Sequence, residues 1–445
     1  MEQPGAATFV MAKEAPTVDM AFHGDLPNRA LNGTGWSAWG DIGVASDGKV
    51  YSGVGDHGDD IGSKGHTYIY CWDPTAKVLK QIVDANKVAG VQPGDPSFSK
   101  VHARIFEAKD KKIYFTCTFN DGGRCFDVKW TERIPGAFIY QYDPQTGKTT
   151  IVGKLPKSAT ATTLLDFDRN ILYCCMEGRM TPEDVKAKKE YPSGAALAAF
   201  YLGGKVGWVD EPGRIVAGAD SGIGKPCWVY ESPLDAVVAD RNITLDKNGA
   251  VYFNGKEDKL WKYDPKSGKI GPTPAAFPKQ QDEGKESQPT MRSSTIESKA
   301  GWIYGTTMAP GRLFRFRPSE NKVELLGPDF LMGEYTTVTV LSPDERFVYY
   351  MPGSHGGAFK IGTPVVQYEI ATGKRKVLAF LQPVIEKTCA YVPSGTYGVK
   401  LSADGSTLYV NFNGHARNDV RPKEMNEIGF GLTAFAAIHI PASER

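Results

Sequence analysis

Short runs of alternating apolar and polar residues recur along the whole chain, and the stretch 100–125 shows this pattern most completely. There, Val101, Ala103 and Ile105 alternate with polar residues, and a turn leads into the aromatic and β-branched run 113–116. Alternation with a period of two is typical of half-buried β-strands. This stretch therefore predicts a strand, a tight turn and a second strand.

The same strand–turn–strand unit recurs along the chain, and each copy ends in a tyrosine. The Asp-Gly and Asn-Gly pairs in several of its turns supply the positive φ that tight hairpins need. The seven copies end at Tyr51, Tyr114, Tyr173, Tyr252, Tyr304, Tyr349 and Tyr409. A second hairpin follows several copies and is marked by an aromatic residue before an Asp-Pro pair, as at 72–74, 142–144 and 263–265.

Two hairpins make a four-stranded antiparallel unit, and seven such units predict an all-β fold, a seven-bladed β-propeller. A single domain over 1–445 is expected, and two separate sandwich domains are the weaker alternative because the turn signatures persist throughout. The last copy lacks a clear fourth strand, which a segment around 15–35 would supply to close the ring. The Thr-Pro-Glu-Asp start of the segment 181–191 predicts a short helical insertion near 180–192 in blade 3.

The composition and charge of the chain argue against several classes of function. The formal net charge of +1 and the lack of a long Lys/Arg run give no case for a nucleic-acid partner. No apolar stretch approaches the ~20 residues that span a bilayer, and the segment 1–16 lacks the charged and apolar regions of a signal peptide. Seven cysteines cannot all pair within the chain. Cys117 and Cys125 flank one loop and could form a bridge, whereas buried thiols are expected for most of the others.

Propeller geometry orders the polar residues of the chain. The first strand of each blade starts on the same face of the ring as the loop after its second strand, and the Asp-Gly turns lie on the opposite face. In blades 1, 2 and 4, the residues eight positions before the turn Asp or Asn are Trp39, His102 and Asp240. Six positions before it, the residues are Asp41, Arg104 and Asn242. These side chains are therefore expected near the central channel.

The loops after the second strands bring further histidines and arginines to that face. They are His57, Arg124, Arg179, His355, His415 and Arg417, and His66 at the start of the third strand of blade 1 joins them. A single such histidine is most often a hydrogen-bonded turn residue. Several histidines that independent loops bring to one face favour a catalytic or ligand-binding funnel. Arg104 has a structural alternative, which is a salt bridge to Asp41.

The residue types narrow the chemistry. No Gly-x-Ser-x-Gly motif supports a serine hydrolase, and the crowded carboxylates of 56–60 are more often solvated or metal-binding than a glycosidase pair. A histidine, an arginine and a tyrosine in one funnel suit proton abstraction beside a carboxylate, which is the chemistry of β-elimination in a uronate-containing glycan. A histidine cluster could equally hold a divalent metal that takes over the role of the arginine.

Three segments resemble bacterial propeller proteins of carbohydrate utilisation: KVHARI at 100–105 with IYFT at 113–116, PGSHGG at 352–357 and GTPVVQY at 362–368. The architecture is more distantly similar to that of propeller polysaccharide lyases, namely ulvan lyases, rhamnosyl-glucuronate lyases and oligogalacturonate lyases. In such enzymes histidine acts in β-elimination together with tyrosine and arginine, and some carry a metal. The resemblance implies a carbohydrate substrate, and we expect a secreted or periplasmic location.

The sequence thus predicts a carbohydrate-active lyase that cleaves a uronate-containing glycan or glycoside by β-elimination. His102 is expected to be the base or acid, Arg104 the clamp for the carboxylate, and His57 a further acid. Substrate contacts are expected from Trp39, Asp41, Asn242, Arg124, Arg179 and Arg417, and a divalent metal would be bound by His355, His415 and His66. A non-catalytic propeller that binds a glycan or a protein, and a metal-dependent hydrolase or isomerase, are the alternatives.

Overall fold

Hairpins account for nearly all of the regular structure in the computed structural model of the chain. The residues that it describes are 10–24, 26, 35–56, 65–95, 97–118, 137–155, 159–177, 196–202, 207–211, 214–217, 228–231, 242–255, 258–267, 269–282, 285–287, 289–308, 311–327, 336–417 and 431–445. All structural statements below refer to these residues. The predicted helical insertion near 180–192 lies outside them.

The strands form seven mainly antiparallel sheets, which are the blades of a β-propeller. The first two strands, β1 (Val10–Met11) and β2 (Thr17–Phe22), belong to the last two blades. Blade 1 consists of β3 (Gly43–Val44), β4 (Val50–Gly55), β5 (Thr67–Asp73) and β6 (Val78–Asp84). Blade 2 consists of β7 (Phe106–Glu107), β8 (Ile113–Cys117), β9 (Ala137–Asp143) and β10 (Lys148–Leu155).

Blade 3 is the largest of the seven sheets, with six described strands. They are β11 (Ala159–Asp166), β12 (Ile171–Glu177), β13 (Ala196–Tyr201), β14 (Gly207–Glu211), β15 (Arg214–Ala217) and β16 (Trp228–Glu231). Blade 4 consists of β17 (Thr244–Leu245), β18 (Val251–Asn254), β19 (Lys259–Asp264) and β20 (Lys269–Ala276). A separate hairpin follows it, made of β21 (Gln280–Asp282) and β22 (Lys285–Ser287).

The last three blades complete the ring. Blade 5 consists of β23 (Thr290–Ser294), β24 (Ile303–Met308), β25 (Leu313–Arg317) and β26 (Lys322–Leu325). Blade 6 consists of β27 (Thr339–Leu341), β28 (Phe347–Tyr350), β29 (Pro364–Glu369) and β30 (Arg375–Phe380). Blade 7 contains β31 (Tyr391–Leu401), β32 (Thr407–Ala416) and β33 (Leu432–His439). The predicted seven-bladed β-propeller is therefore confirmed.

Short helices lie between some of these strands. They are the α-helices α1 (Ala85–Ala89) and α2 (Leu381–Cys389) and the 3-10 helices Pro318–Glu320, Ala358–Ile361 and Ala442–Glu444. In the described part of the chain, no helix is both long and apolar enough to cross a membrane. Cys117 is a buried free thiol, and its suggested partner Cys125 lies outside the described residues.

An N-terminal strand closes the ring, as the sequence predicts. β2 lies antiparallel to β33 from the pair Thr17 and His439 to the pair Phe22 and Ala434, and it supplies the outer strand of blade 7. β1 adds to blade 6 by pairing in parallel with β30, which the sequence did not predict. The closure thus uses two strands from the same end of the chain on two neighbouring blades.

The tyrosines that mark the repeats pack between neighbouring blades. The rings of Tyr51 and Tyr142 join blades 1 and 2 with centroids 6.1 Å apart. Tyr252 meets Phe316 of blade 5 edge to face at 5.1 Å. Aromatic pairs at such separations add to the apolar burial of the blade faces. The repeated aromatic residue therefore stabilises the contact from one blade to the next.

The hairpin turns between first and second strands explain the repeated Asp-Gly pairs. Asp47 Oδ1 accepts a hydrogen bond from the Lys49 amide at 3.0 Å, while Gly48 adopts a φ of 86°. Asp404 Oδ1 accepts one from the Ser406 amide at the same distance. A carboxylate that accepts from an amide two residues on favours the turn, and glycine takes positive φ without steric cost.

Candidate functional site

A cavity of about 390 Å³ lies on the axis, where the first strands of six blades face one another. We call the end at which these strands begin the upper end, and the end at which they turn back the lower end. Hydroxyl side chains line its middle, namely Thr162, Ser293, Ser294, Thr295, Thr337 and Thr339. The volume falls in the range of small-molecule sites. The cavity is therefore the candidate functional site.

Four of the predicted residues line this cavity near its upper end: Trp39, Asp41, His102 and Arg104. Trp39 and Asp41 precede β3, and His102 and Arg104 precede β7, so they come from neighbouring blades. The structure thus brings together the residues chosen by counting back from the turns. Their chemical roles stay predictions.

Trp39 is the centre of an aromatic and cationic cluster at the upper end. It is 8 % exposed, and its ring centroid lies 6.4 Å from that of His102 and 5.5 Å from that of His355. Tyr397 meets it edge to face at 4.8 Å, and Lys100 Nζ lies 5.5 Å from the ring centroid. Two predicted histidines, from blades 2 and 6, therefore contact one indole ring.

Asp41 is engaged in a bridge between blades 1 and 7. Its Oδ1 accepts hydrogen bonds from the backbone amides of Ile42 at 3.0 Å and Val399 at 3.2 Å, and its Oδ2 forms an ion pair with Lys400. The expectation that Asp41 pairs with Arg104 is therefore wrong. The ion pair keeps a buried carboxylate compensated and holds the first and last blades together at the channel wall.

Arg104 crosses part of the channel. Its Nη2 donates to Asn242 Oδ1 of blade 4, and its Nη1 donates to the Ile243 carbonyl at 3.3 Å. Asn242 Nδ2 in turn donates to Ser294 Oγ of blade 5 at 2.9 Å. Asn242 is 1 % exposed, and it is not among the residues that line the cavity. Its amide orients the arginine, whereas the sequence predicted a substrate contact for it.

Two residues that the sequence analysis did not select also line the upper end. Arg292 is 7 % exposed, and its Cζ lies 5.6 Å from the ring centroid of Tyr397, which is 5 % exposed. Arg292 stands eight positions before Ala300, so the same count would have found it if Ala300-Gly301 had been treated like an Asp-Gly turn. Counting back from the turn does not find Tyr397, because a bulge between Thr396 and Gly398 shifts the register of β31.

His66 forms a dyad with a buried carboxylate away from the residues that line the cavity. Its Nδ1 lies 2.6 Å from Asp56 Oδ2, and its backbone amide donates to Asp56 Oδ1 at 2.8 Å. The hydrogen bond that His66 donates to the Asp56 carboxylate raises the pKa of His66 above its usual value, against an opposing effect of burial. The carboxylate holds the proton on Nδ1 and leaves Nε2 as the basic nitrogen, an arrangement seen in general bases and in metal-binding histidines.

His415 and Arg417 also lie outside the cavity lining. His415 Nδ1 is 3.2 Å from Ser394 Oγ, and its ring meets that of Phe359 at 6.0 Å. Arg417 has a side chain that is 59 % exposed, and its Nε pairs with Glu386 of α2 at 3.2 Å. The predicted substrate contact of Arg417 is therefore replaced by a surface ion pair in this structure. His57, Arg124 and Arg179 lie outside the described residues.

The three histidines predicted to bind a metal do not meet. His66 contacts Asp56, His355 contacts Trp39 and His415 contacts Ser394. Among the described residues, no three His, Cys, Asp or Glu side chains converge as metal donors. A common metal site made of His355, His415 and His66 is therefore not found among the described residues, and metal binding by these histidines stays a prediction.

Comparisons with known proteins support the fold and leave the chemistry open. No protein-family model matches the chain, and no curated protein matches its sequence. A solved structure of oligogalacturonate lyase in complex with manganese is similar, with a TM-score of 0.52 and 11 % identity over 98 % of this chain and 99 % of that one. The crystal structure of the mitotic checkpoint complex contains a chain with a TM-score of 0.51 and 9 % identity, covering 99 % of this chain and 97 % of that one. At such identities the likeness shows the propeller alone, because this fold carries unrelated functions.

Proposed function

We propose that the protein is a carbohydrate-active lyase that cleaves a uronate-containing glycan or glycoside by β-elimination. The observation that supports this proposal is the convergence of His102, Arg104 and Trp39 in one enclosed channel. A general base and a guanidinium are groups that this reaction needs beside an acidic sugar, and the Trp39 ring contacts the histidine that would be the base. The structural similarity to an oligogalacturonate lyase agrees with the proposal at the level of the fold.

Each residue then has a defined part in the reaction. The Arg104 guanidinium binds the uronate carboxylate and stabilises the negative charge that develops when the proton beside it leaves. His102 accepts that proton from C5, the C5–H electron pair becomes the C4–C5 double bond, and the bond from C4 to the glycosidic oxygen breaks. His355, on the same indole ring as His102, is our candidate for the acid that protonates the leaving oxygen.

Trp39 has a positioning role in this scheme. Its ring contacts His102 and His355 and is almost fully buried, so it fixes the relative placement of the two imidazoles more than it offers a stacking surface to a sugar. Asn242 has the corresponding role for Arg104, whose guanidinium it holds through the side-chain amide. A secreted or periplasmic location stays a prediction.

The test is the appearance of ultraviolet absorbance from an unsaturated uronate during incubation with a panel of uronate-containing glycans, with and without a chelator. We expect product with at least one glycan, and His102→Ala should abolish it while the fold is retained by circular dichroism. His439→Ala is the matched control, because His439 lies at the lower face and binds Asp19. Absence of product across the panel, with glycan binding retained, would favour the non-catalytic glycan-binding alternative.

A further inference from the structure

Two arginines cross the channel at its upper end, one on each side. Arg104 starts in blade 2, passes the first strand of blade 3 and binds Asn242 in blade 4. Arg292 starts in blade 5 and reaches the ring of Tyr397 in blade 7. Each guanidinium therefore contacts a residue that lies two blades from its own blade.

The two side chains are linked through one short chain of contacts. Asn242 accepts from Arg104 and donates to Ser294, which is two residues after Arg292 on the inner strand of blade 5. Arg292 and Ser294 both line the channel, although the register of β23 shifts between Met291 and Ser293. The guanidinium of Arg104 thus ends beside the strand from which Arg292 projects.

Charges are segregated along the channel. Among the described residues, the basic side chains that line the upper end are Arg104, Arg292 and Lys400, and the acidic one is Asp41, which pairs with Lys400. The acids Glu297 and Glu345 line the lower end, where each accepts hydrogen bonds from a turn amide, that of Lys247 and that of Lys299 respectively. An anion would therefore be attracted to the upper end and repelled by the lower one.

We propose that Arg104 and Arg292 together form a binding site for one carboxylate, and that Arg292 makes the site select an acidic sugar over its neutral counterpart. This inference rests on the proposed function for the nature of the ligand, a uronate. A guanidinium presents two parallel N–H donors that match a carboxylate, which a neutral hydroxymethyl group does not reproduce. The contact with Tyr397 holds the Arg292 guanidinium in place before the ligand arrives, which lowers the entropy cost of binding.

A purely structural role is the competing explanation, because an arginine that spans two blades also braces the ring. The two explanations differ in what a change at Arg292 affects. If Arg292 is a structural brace, its substitution should lower thermal stability and change the affinities for acidic and neutral ligands equally. If Arg292 binds the carboxylate, its substitution should lower the affinity for the acidic ligand alone.

The experiment measures binding by isothermal titration calorimetry, using sodium galacturonate and sodium glucuronate against galactose and glucose. The wild-type protein should bind at least one uronate about tenfold or more tightly than the matching neutral sugar, the order of discrimination expected for one well-placed charged contact. Arg292→Gln should reduce uronate affinity by about tenfold or more and leave the neutral sugar unchanged. Arg292→Lys, which keeps the positive charge but lacks the two parallel N–H donors of the guanidinium, should give an intermediate affinity.

Arg346→Gln is the matched control, since Arg346 is exposed and pairs with Asp344 at a lower-face turn. It should bind uronate like the wild type. The proposal is overturned if the wild type binds no uronate or does not prefer it to the neutral sugar. It is also overturned if Arg292→Gln retains wild-type uronate affinity, or loses affinity for both sugars together with thermal stability.

These outcomes separate the site from the reaction. Selective uronate binding that depends on Arg292, with no unsaturated product from any glycan, would refute the lyase and leave the carboxylate site standing. Unsaturated product with a KM that Arg292→Gln does not raise would refute the role of Arg292 and leave the lyase standing.

Discussion

The two ends of the channel use the same kinds of polar residue for different purposes. At the lower face, carboxylates bind amides of their own hairpin turn, as Asp47, Asp110, Asp246, Asp344 and Asp404 do. At the upper end, Arg104 reaches Asn242, Arg292 reaches Tyr397 and Asp41 reaches Lys400, each in another blade. These turn aspartates of the lower face therefore shape single hairpins, and the upper-end residues depend on the assembled ring.

This difference predicts which substitutions should reduce activity and which should reduce stability. A turn aspartate of the lower face can be changed with consequences for one turn, because the amides that it binds lie within a few residues. An upper-end side chain is held at a point where several blades meet, so its removal alters the shared channel. Changes at the upper end should mainly reduce activity, and changes at the lower face should mainly reduce stability.

The largest effect is expected from Arg104→Gln. Activity should fall by about 100-fold or more, since a donor aimed at developing negative charge contributes roughly 3 kcal/mol to the transition state. Stability should fall by only about 1 kcal/mol, the usual value of a lost hydrogen bond. Kinetic measurement of kcat/KM and urea unfolding would check the two numbers. The comparison fails if the loss of activity is no larger than the loss of folded protein.

Titratable groups at the two ends of the channel should contribute to the free energy of unfolding over separate pH ranges. Burial lowers the pKa of His23, between blades 7 and 1 near the upper face, from 6.5 to about 4. Because the unfolded chain takes up this proton first, stability should decline as the pH falls from about 6.5 to about 4, by up to about 3 kcal/mol. His66 titrates with the opposite sign: its raised pKa gives stability that is present below pH 6.5 and lost as the pH rises through the raised value.

Asp404, a turn carboxylate of the lower face, responds only at lower pH. Hydrogen bonds from Ser402 and Ser406 lower the pKa of Asp404 from 3.8 to about 2, so its contribution is lost as the pH falls from 3.8 towards 2. Denaturant unfolding from pH 8 to pH 3 would therefore show a first decline above pH 4, which His23→Gln should remove. A decline that begins only below pH 4 in the unchanged protein would contradict this assignment.

Asp246→Ala should destabilise the protein by about 2 kcal/mol. Asp246 is 6 % exposed and accepts from the amides of Asn248 and Ala250, both at 2.9 Å, and from the Tyr252 hydroxyl at 3.2 Å. Its removal leaves buried donors without an acceptor, which costs more than an exposed turn contact. The urea midpoint should fall, and kcat/KM of the remaining folded protein should be unchanged. Asp246→Asn, which keeps one acceptor oxygen, should lose less.

Asp404→Ala should have the smallest effect, below about 1 kcal/mol. Its carboxylate is exposed, so water can replace the hydrogen bonds from Ser402 and Ser406 when it is removed. The urea midpoint is again the measurement. A loss as large as that of Asp246→Ala would show that burial does not decide the importance of a turn carboxylate in this fold.

The fold could be predicted because its signals are local. The Asp-Gly turns and the tyrosines lie within a few residues of their contacts, so the repeats are visible in the sequence. The missing fourth strand of the last blade pointed to a segment around 15–35, which contains β2. The parallel addition of β1 to β30 had no such signal, since two residues carry too little pattern.

Only part of the site could be predicted, namely the residues that lie six or eight positions before the Asp or Asn of a hairpin turn. This count found Trp39, His102 and Arg104, because first strands enter the channel in a common register. It missed Arg292, whose turn has Ala300 in place of Asp. Partners were harder to predict, as the Arg104–Asp41 expectation shows, because side chains here reach two blades away, and their direction depends on the ring that packs around them.

Ring closure by β2 has a consequence for how the protein is made. His23, at the end of that strand, binds Thr433, 410 positions further along the chain. A growing chain therefore cannot finish its last blade until β33 has left the ribosome, and β2, which is made long before β33, must wait beside an incomplete ring. Contacts between such distant residues make folding slow, and unpaired strand edges can pair with other chains meanwhile. We expect the yield of active protein to depend on translation speed and chaperones more than its final stability would suggest.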